Sequence, residues 1–269
     1  GVAVVIIAFF AIVYAVLSHS FIKLATAKKG AKKAVYKEKT LKVSSASKAL
    51  LRKERMMFTG NATYMLNSGL SALIMVGGTI YAVFQLNTLK QFPSTLIEMI
   101  SVYLPLIISF VIAVGPISAA SISMEAKNLW LMQSLPVSQL QVLTQKLKLH
   151  FIVNGVVSLV PSVVLSIMLG MKPVNIIITI LIPIIFSLFS GLLGLMFDLK
   201  KPKLDWNTTA EAVKQSASVM LSLLLSVLAV CVPAIAYPVL LSFEIEISTE
   251  IFLACTAFYL SLIHISEPT

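Results

Sequence analysis

KNLWLMQSLPVSQLQ, residues 127–141, is a half-polar stretch with Pro136 near its middle, set between two long apolar runs at about 99–121 and 150–170. An apolar run of about 20 residues crosses roughly 30 Å of hydrocarbon as a helix. Lipid offers no partner to an unpaired backbone N–H or C=O, and these runs are too long for barrel strands, so each must be helical. Working outward, further runs lie near 2–21, 62–84, 174–197, 217–241 and 251–263, which makes seven spans with the outer two incomplete. Composition agrees: of 269 residues, 58% are hydrophobic and only 12% charged, with a mean hydropathy of +0.95. A soluble domain carries about twice that charge. The fold class is all-α, a polytopic helical membrane protein.

The loops between spans alternate sides, so their basic residues test the topology. Loops 22–61, 122–149 and 198–216 hold 19 of the 21 Lys and Arg, and loops 85–98, 171–173 and 242–250 hold the other 2. The first set, which includes 127–141, is therefore expected on the cytoplasmic side of a cell membrane. The net charge of +10 sits beside spans and comes with no nucleic-acid motif, so DNA and RNA are not expected partners, whereas membrane lipids are. Cys231 and Cys255 lie in apolar runs without metal or disulfide spacing.

Within the spans, Pro105, Pro116, Pro161, Pro183, Pro233 and Pro238 each remove a backbone donor and predict kinked helices. Gly77-Gly78 and SGLLG at 190–194 permit close helix approach, or a hinge. No Asp, Glu, Lys or Arg is expected deep in a span, which counts against a relay of buried ionisable groups. His150 is read as an interfacial residue at the end of a span.

Three polar segments face the basic side. Residues 22–46 form a basic linker too polar to bury a core, drawn to anionic lipid or to a partner. SKALLRKERMMF, 47–58, places Leu50, Leu51, Met57 and Phe58 among charges as on an amphipathic helix lying along the membrane. In 122–149, Glu125 and Lys127 open a short helix carrying Leu129 to Met132, and Pro136 disfavours helical geometry at Leu135 and ends it. Ser138 and Gln141 then form a capping box that starts the next helix. This helix, break, helix element is either an interfacial elbow anchored by Trp130 or a surface for another protein. Thr208 and Glu211 form a second capping box, and Asp205 and Trp206 hold their loop at the interface.

SISMEAKNLWLMQSLPVSQLQVLTQKL at 121–147 resembles the signature loop of ABC-2-type exporter permeases, within a long-chain bacterial subgroup. ALLRKERMMFTGNATYMLNSGL at 49–70 and DLKKPKLDWNTTAEAVKQ at 198–215 carry the same likeness, in the same order, so it covers 47–259. The resemblance implies an ABC-2-type six-helix bundle with one preceding span, in the bacterial plasma membrane. It implies an ABC ATP-binding subunit as partner, which binds the ATP, so that this chain holds no cofactor and is not an enzyme. Glu125, Lys127, Trp130, Leu135 and Pro136 fall on its ATPase-coupling element, Trp130 and Leu135 filling a groove while Glu125 and Lys127 set orientation. A homodimer or a two-half chain would supply two such surfaces. Ala126 stands where the family usually has glycine.

The chain opens inside an apolar run, so residues 1–21 are expected to be the partial last span of a preceding half. LSLIHISEPT, 260–269, resembles the translated read-through of a common transposase sequencing adapter and is expected to lie outside the natural fold, with His264 and Glu267. Two other functions compete. A non-ABC transporter or channel should show an intramembrane charge or repeated broken helices. A membrane enzyme should show a motif such as H-E-x-x-H, and neither that nor a phosphate-binding G-x-x-x-x-G-K-[ST] is present.

Overall fold

The computed structural model describes residues 7, 10–11, 13–15, 17–18, 44–85, 91–243, 251–253, 255–257 and 259–260. They fall into two units, Gly1–Val43 and Ser44–Thr269. In the first, the described positions are helical, and the rings of Phe10 and Tyr14 stack with centroids 6.4 Å apart. Most of the first span and the basic linker up to residue 43 lie outside the described residues, as do much of the last span and residues 261–269. Leu260 is described and packs in the core.

The second unit contains helices α1 (Ala46–Gly60), α2 (Ala62–Ser68), α3 (Leu70–Phe84), α4 (Ser94–Val114), α5 (Leu129–Ser134), α6 (Gln139–His150), α7 (Leu159–Met168), α8 (Pro173–Lys200), α9 (Thr209–Lys214) and α10 (Ala217–Ser242). Two 3₁₀ segments, Ile117–Ala120 and Ser123–Asn128, join α4 to α5. A π-helical turn, Phe151–Val156, joins α6 to α7. No strand occurs among the described residues. Four stretches are long and apolar enough to cross a membrane: Ser94–Ala126, Gln139–Met168, Pro173–Lys200 and Thr209–Leu240. The chain is a multi-pass helical membrane protein.

Local chemistry sets several of these boundaries. Asn61 accepts the Tyr64 N–H at 3.1 Å and caps α2. Ser138 and Gln141 exchange side-chain and backbone bonds at 3.2 Å each way, the expected capping box, and start α6. Glu211 reaches back to the N–H and hydroxyl of Thr208 at 3.3 and 3.0 Å. Pro173 opens α8, where its fixed φ suits a helix and its missing N–H costs nothing. Pro161 falls in the first turn of α7 for the same reason, while α4, α8 and α10 run through Pro105, Pro183, and Pro233 with Pro238.

The core forms where α4, α8 and α10 meet, around Ile112, Ile182 and Phe186, all fully buried. A smaller cluster at the charged end joins Phe58, Tyr64, Ile117 and Val213. Exposed side chains such as Leu73, Ile80, Ile177 and Ile235 form the apolar exterior of the helices.

The structure adds to the sequence reading in three places. The expected span 62–84 is bent by 54° between α2 and α3. The bend falls at Gly69, where a Cβ would stand 3.1 Å from Phe58 Cζ. The π turn puts Asn154 inside the bundle, where its Nδ2 donates to Gly115 O at 3.0 Å and its Oδ1 accepts from Ser71 Oγ at 2.7 Å. A π turn adds a residue to the helix and redirects the side chains that follow. Third, the amphipathic helix does not simply lie on the membrane. In α1, Leu50, Glu54 and Phe58, spaced four apart on one face, are buried, and this helix packs on α6.

Close approach is divided between the two glycine groups. A Cβ at Gly194 would stand 2.6 Å from Ser118 Oγ and 3.0 Å from Ala119 N, and one at Gly191 would stand 2.7 Å from Leu147 Cδ1, whereas at Gly77 and Gly78 nothing lies within 4 Å. Of these two groups, 190–194 is the one packed closely against other described residues. Gly194→Ala is therefore expected to lower stability by about 2 kcal/mol through overpacking. Gly77→Ala should raise it by up to about 1 kcal/mol through helix propensity. Thermal unfolding of the two variants in detergent checks the contrast.

Candidate functional site at the charged end of the bundle

The loop 121–128 leaves α4 as 3₁₀ turns, whose backbone groups need partners beyond the turn. Asp198, fully buried at the end of α8, supplies the first. Its Oδ2 accepts the N–H groups of Ile122 at 2.6 Å and Ser123 at 3.2 Å, and its Oδ1 accepts the Ser123 hydroxyl. A carboxylate on successive backbone N–H groups makes strong, charge-assisted bonds. Ser123 Oγ in turn accepts the Lys203 N–H at 2.9 Å, and Ser123 O accepts Trp206 Nε1–H at 2.8 Å. Trp206 thus anchors its loop to the 3₁₀ segment.

Four charges complete the clamp. Lys146 of α6 is 2% exposed, Glu54 of α1 1% and Glu125 4%, so none can rely on water. Lys146 Nζ donates to Glu54 Oε1 at 3.1 Å, to Glu125 Oε1 at 2.7 Å and to Ser121 O at 2.9 Å. Lys53, about one-third exposed, donates to Glu54 at 3.2 Å and pairs with Glu125 Oε1. Burial pushes the Glu54 carboxyl above the usual carboxylate range, against the pull of Lys146 and Lys53. Segment 121–125 is thereby tied at once to α1, α6, α8 and the loop after it.

Beyond the clamp the chain breaks at Ala126 (φ 8°, ψ −82°), where the family resemblance expects glycine, and α5 begins at Leu129, later than the sequence suggests. It ends where expected, with Leu135 extended (φ −76°, ψ 143°) before Pro136. Trp130 is 67% exposed and Leu140, just past the break, 74%; Leu131, Leu135 and Pro136 are also exposed. No residue of α5 is buried. Of the sequence-predicted site residues, Trp130, Leu135 and Pro136 are each exposed. Glu125 points into the protein as part of the clamp. The Lys127 side chain lies outside the described residues.

Glu54, Lys146, Asp198 and Asn154 were missed by the sequence reading. Their spacing held a signal: Glu54 shares a face with Leu50 and Phe58, and Lys146 sits between Leu143 and Leu147. His150 is a further correction. It is fully buried rather than interfacial, with Nε2 3.2 Å from Ser190 Oγ, because α6 continues into the π turn and carries this residue against α8. Both partners are 1% exposed or less. Among the described residues no group of His, Cys, Asp and Glu could hold a metal ion.

No protein-family model matches this chain, and comparison with curated proteins and with solved structures found no match.

Removing one member of a buried ion cluster strands the others. Lys146→Met is expected to lower stability by about 3 kcal/mol or more. Adding Glu54→Gln and Glu125→Gln should recover much of that loss, since it is the stranded charge that costs. Denaturant unfolding of the single and triple variants measures both steps.

Proposed function

We propose that this chain is the transmembrane, permease subunit of an ABC-2-type ATP-binding cassette exporter, moving its substrate across the bacterial plasma membrane with ATP hydrolysed on a separate subunit. The observation that carries this reading is an exposed apolar helix, α5, whose base is gripped by buried charges from three other elements. A purely interfacial elbow would need no such grip. A handle that transmits force does, because coupling requires a rigid link between the docked surface and the spans. Trp130 and Leu135 are the groups that enter the ATPase groove, in keeping with the weight that buried aromatic and aliphatic anchors carry in interfaces. Glu125 acts behind them, joining the handle to α1 and α6.

The coupling must also differ between states of the ATPase, since a surface bound equally well in both would shift no equilibrium. A helix held at its base and followed by the break at Leu135–Pro136 can pass a displacement of its exposed face into the clamp. The layout of an α1-like connecting helix, a coupling element and following spans supports the same assignment.

Trp130→Ala with Leu135→Ala should weaken co-purification of the ATPase at least about tenfold and lower its transport-coupled ATP turnover, while membrane insertion stays intact. Unchanged coupling would refute the assignment. Independently, a cysteine replacing Ser134 should be labelled only from the cytoplasmic face of sealed vesicles.

A further inference from the structure

Helix α1 presents two faces of different chemistry. Leu50, Glu54 and Phe58 are buried on one, and the helix packs on α6. Lys48, Arg52 and Arg55, spaced four and three apart, share the opposite face and are exposed. The ion pairs between described residues are those of the clamp, so no described carboxylate pairs with any of these three cations. Glu54, the one acid of α1, is held in that clamp on the other face.

The depth of the helix follows from the same contacts. Glu54 meets Lys146, which lies in the apolar stretch Gln139–Met168, and Lys146 meets Glu125, next to the last residue of the stretch Ser94–Ala126. One residue beyond α1, after Asn61, the chain enters the bent apolar pair Ala62–Ser68 and Leu70–Phe84. α1 therefore stands where three apolar stretches end, at the level of the lipid headgroups.

We propose that the outward face of α1 binds the headgroups of anionic phospholipids, with Lys48, Arg52 and Arg55 on their phosphates. An amphipathic helix at an interface ordinarily turns its apolar face to the lipid. Here that face is taken by α6, and charge is what remains to meet the bilayer. Two of the three cations are guanidinium groups, whose planar fork bonds a phosphate through two parallel N–H donors. A zwitterionic headgroup brings its own cation beside the phosphate, so three uncompensated positive charges favour a headgroup of net negative charge. The site is defined within this chain and stands apart from the ATPase reading.

The reporter is bimane on Ala49→Cys, an exposed position beside Lys48, in a chain whose Cys231 and Cys255 are replaced by alanine. The full chain is reconstituted in phosphatidylcholine vesicles that contain, at equal mole fraction, either phosphatidylglycerol or phosphatidylcholine carrying a nitroxide near the headgroup end of the acyl chain. We expect the labelled phosphatidylglycerol to quench at least about threefold more strongly. Lys48→Gln with Arg52→Gln and Arg55→Gln should bring the ratio close to one, and Arg52→Gln with Arg55→Gln should lower it if the triple variant fails to fold. The basic stretch before α1 is the same in every variant, so the change reports α1 alone. Equal quenching by the two lipids, or a preference that survives the substitutions, overturns the proposal. Quenching by neither lipid also overturns it and places the face in water, open to an acidic protein instead. Excess inorganic phosphate at constant ionic strength should leave the preference unchanged; its loss would make this a site for free phosphate and overturn the assignment to lipid.

Discussion

Lys146 is the residue on which the charged end of this bundle depends. An ammonium group removed from water must recover several kcal/mol of lost hydration from its partners, and Lys146 does so through two carboxylates and a carbonyl. Those oxygens come from α1 and from segment 121–125, while Lys146 itself sits on α6. The requirement that one buried cation be satisfied therefore fixes how three separate stretches of chain meet. Asp198 applies the same logic with opposite sign, holding the N–H groups of Ile122 and Ser123 from the end of α8.

The membrane-spanning part is held by different means. In lipid, helices gain little from hiding apolar surface, and close fit and internal hydrogen bonds matter more. The bundle reflects this. Gly191 and Gly194 let α8 approach α6 and the turn after α4, and the Ser71, Asn154, Gly115 bridge ties α3 to the π turn and to the end of α4. Large apolar side chains point both inward, as Ile182 and Phe186 do, and outward, as Ile177 and Ile235 do, because either environment suits them.

These two modes of cohesion bear on the proposed transport role. The charged clamp resists separation but is built from long, flexible side chains, whereas the glycine contacts below it tolerate almost no change in spacing. Movement delivered to α5 would thus be passed on by the clamp as a unit into the tightly packed ends of α4, α6 and α8.

Sequence by itself determined that the chain is helical and membrane-spanning, where several helices start, and that the stretch around Pro136 breaks the helix between two spans. Each of these follows from properties of one contiguous segment: apolar length, a cap three residues from its partner, a proline that disfavours helix before it. The fates of Glu54, Glu125, Lys146 and His150 were decided only by tertiary structure. Read locally, Glu54 is one charge among many in an amphipathic helix, and Glu125 and Lys146 are loop charges available to a partner protein. Burial of a charge depends on finding its counter-charge 21 or 92 residues away in the chain, and no local pattern encodes that distance. The bend at Gly69 and the inward turn of Asn154 belong to the same class, since a glycine or a π turn acquires its meaning from the helix that comes to lie against it.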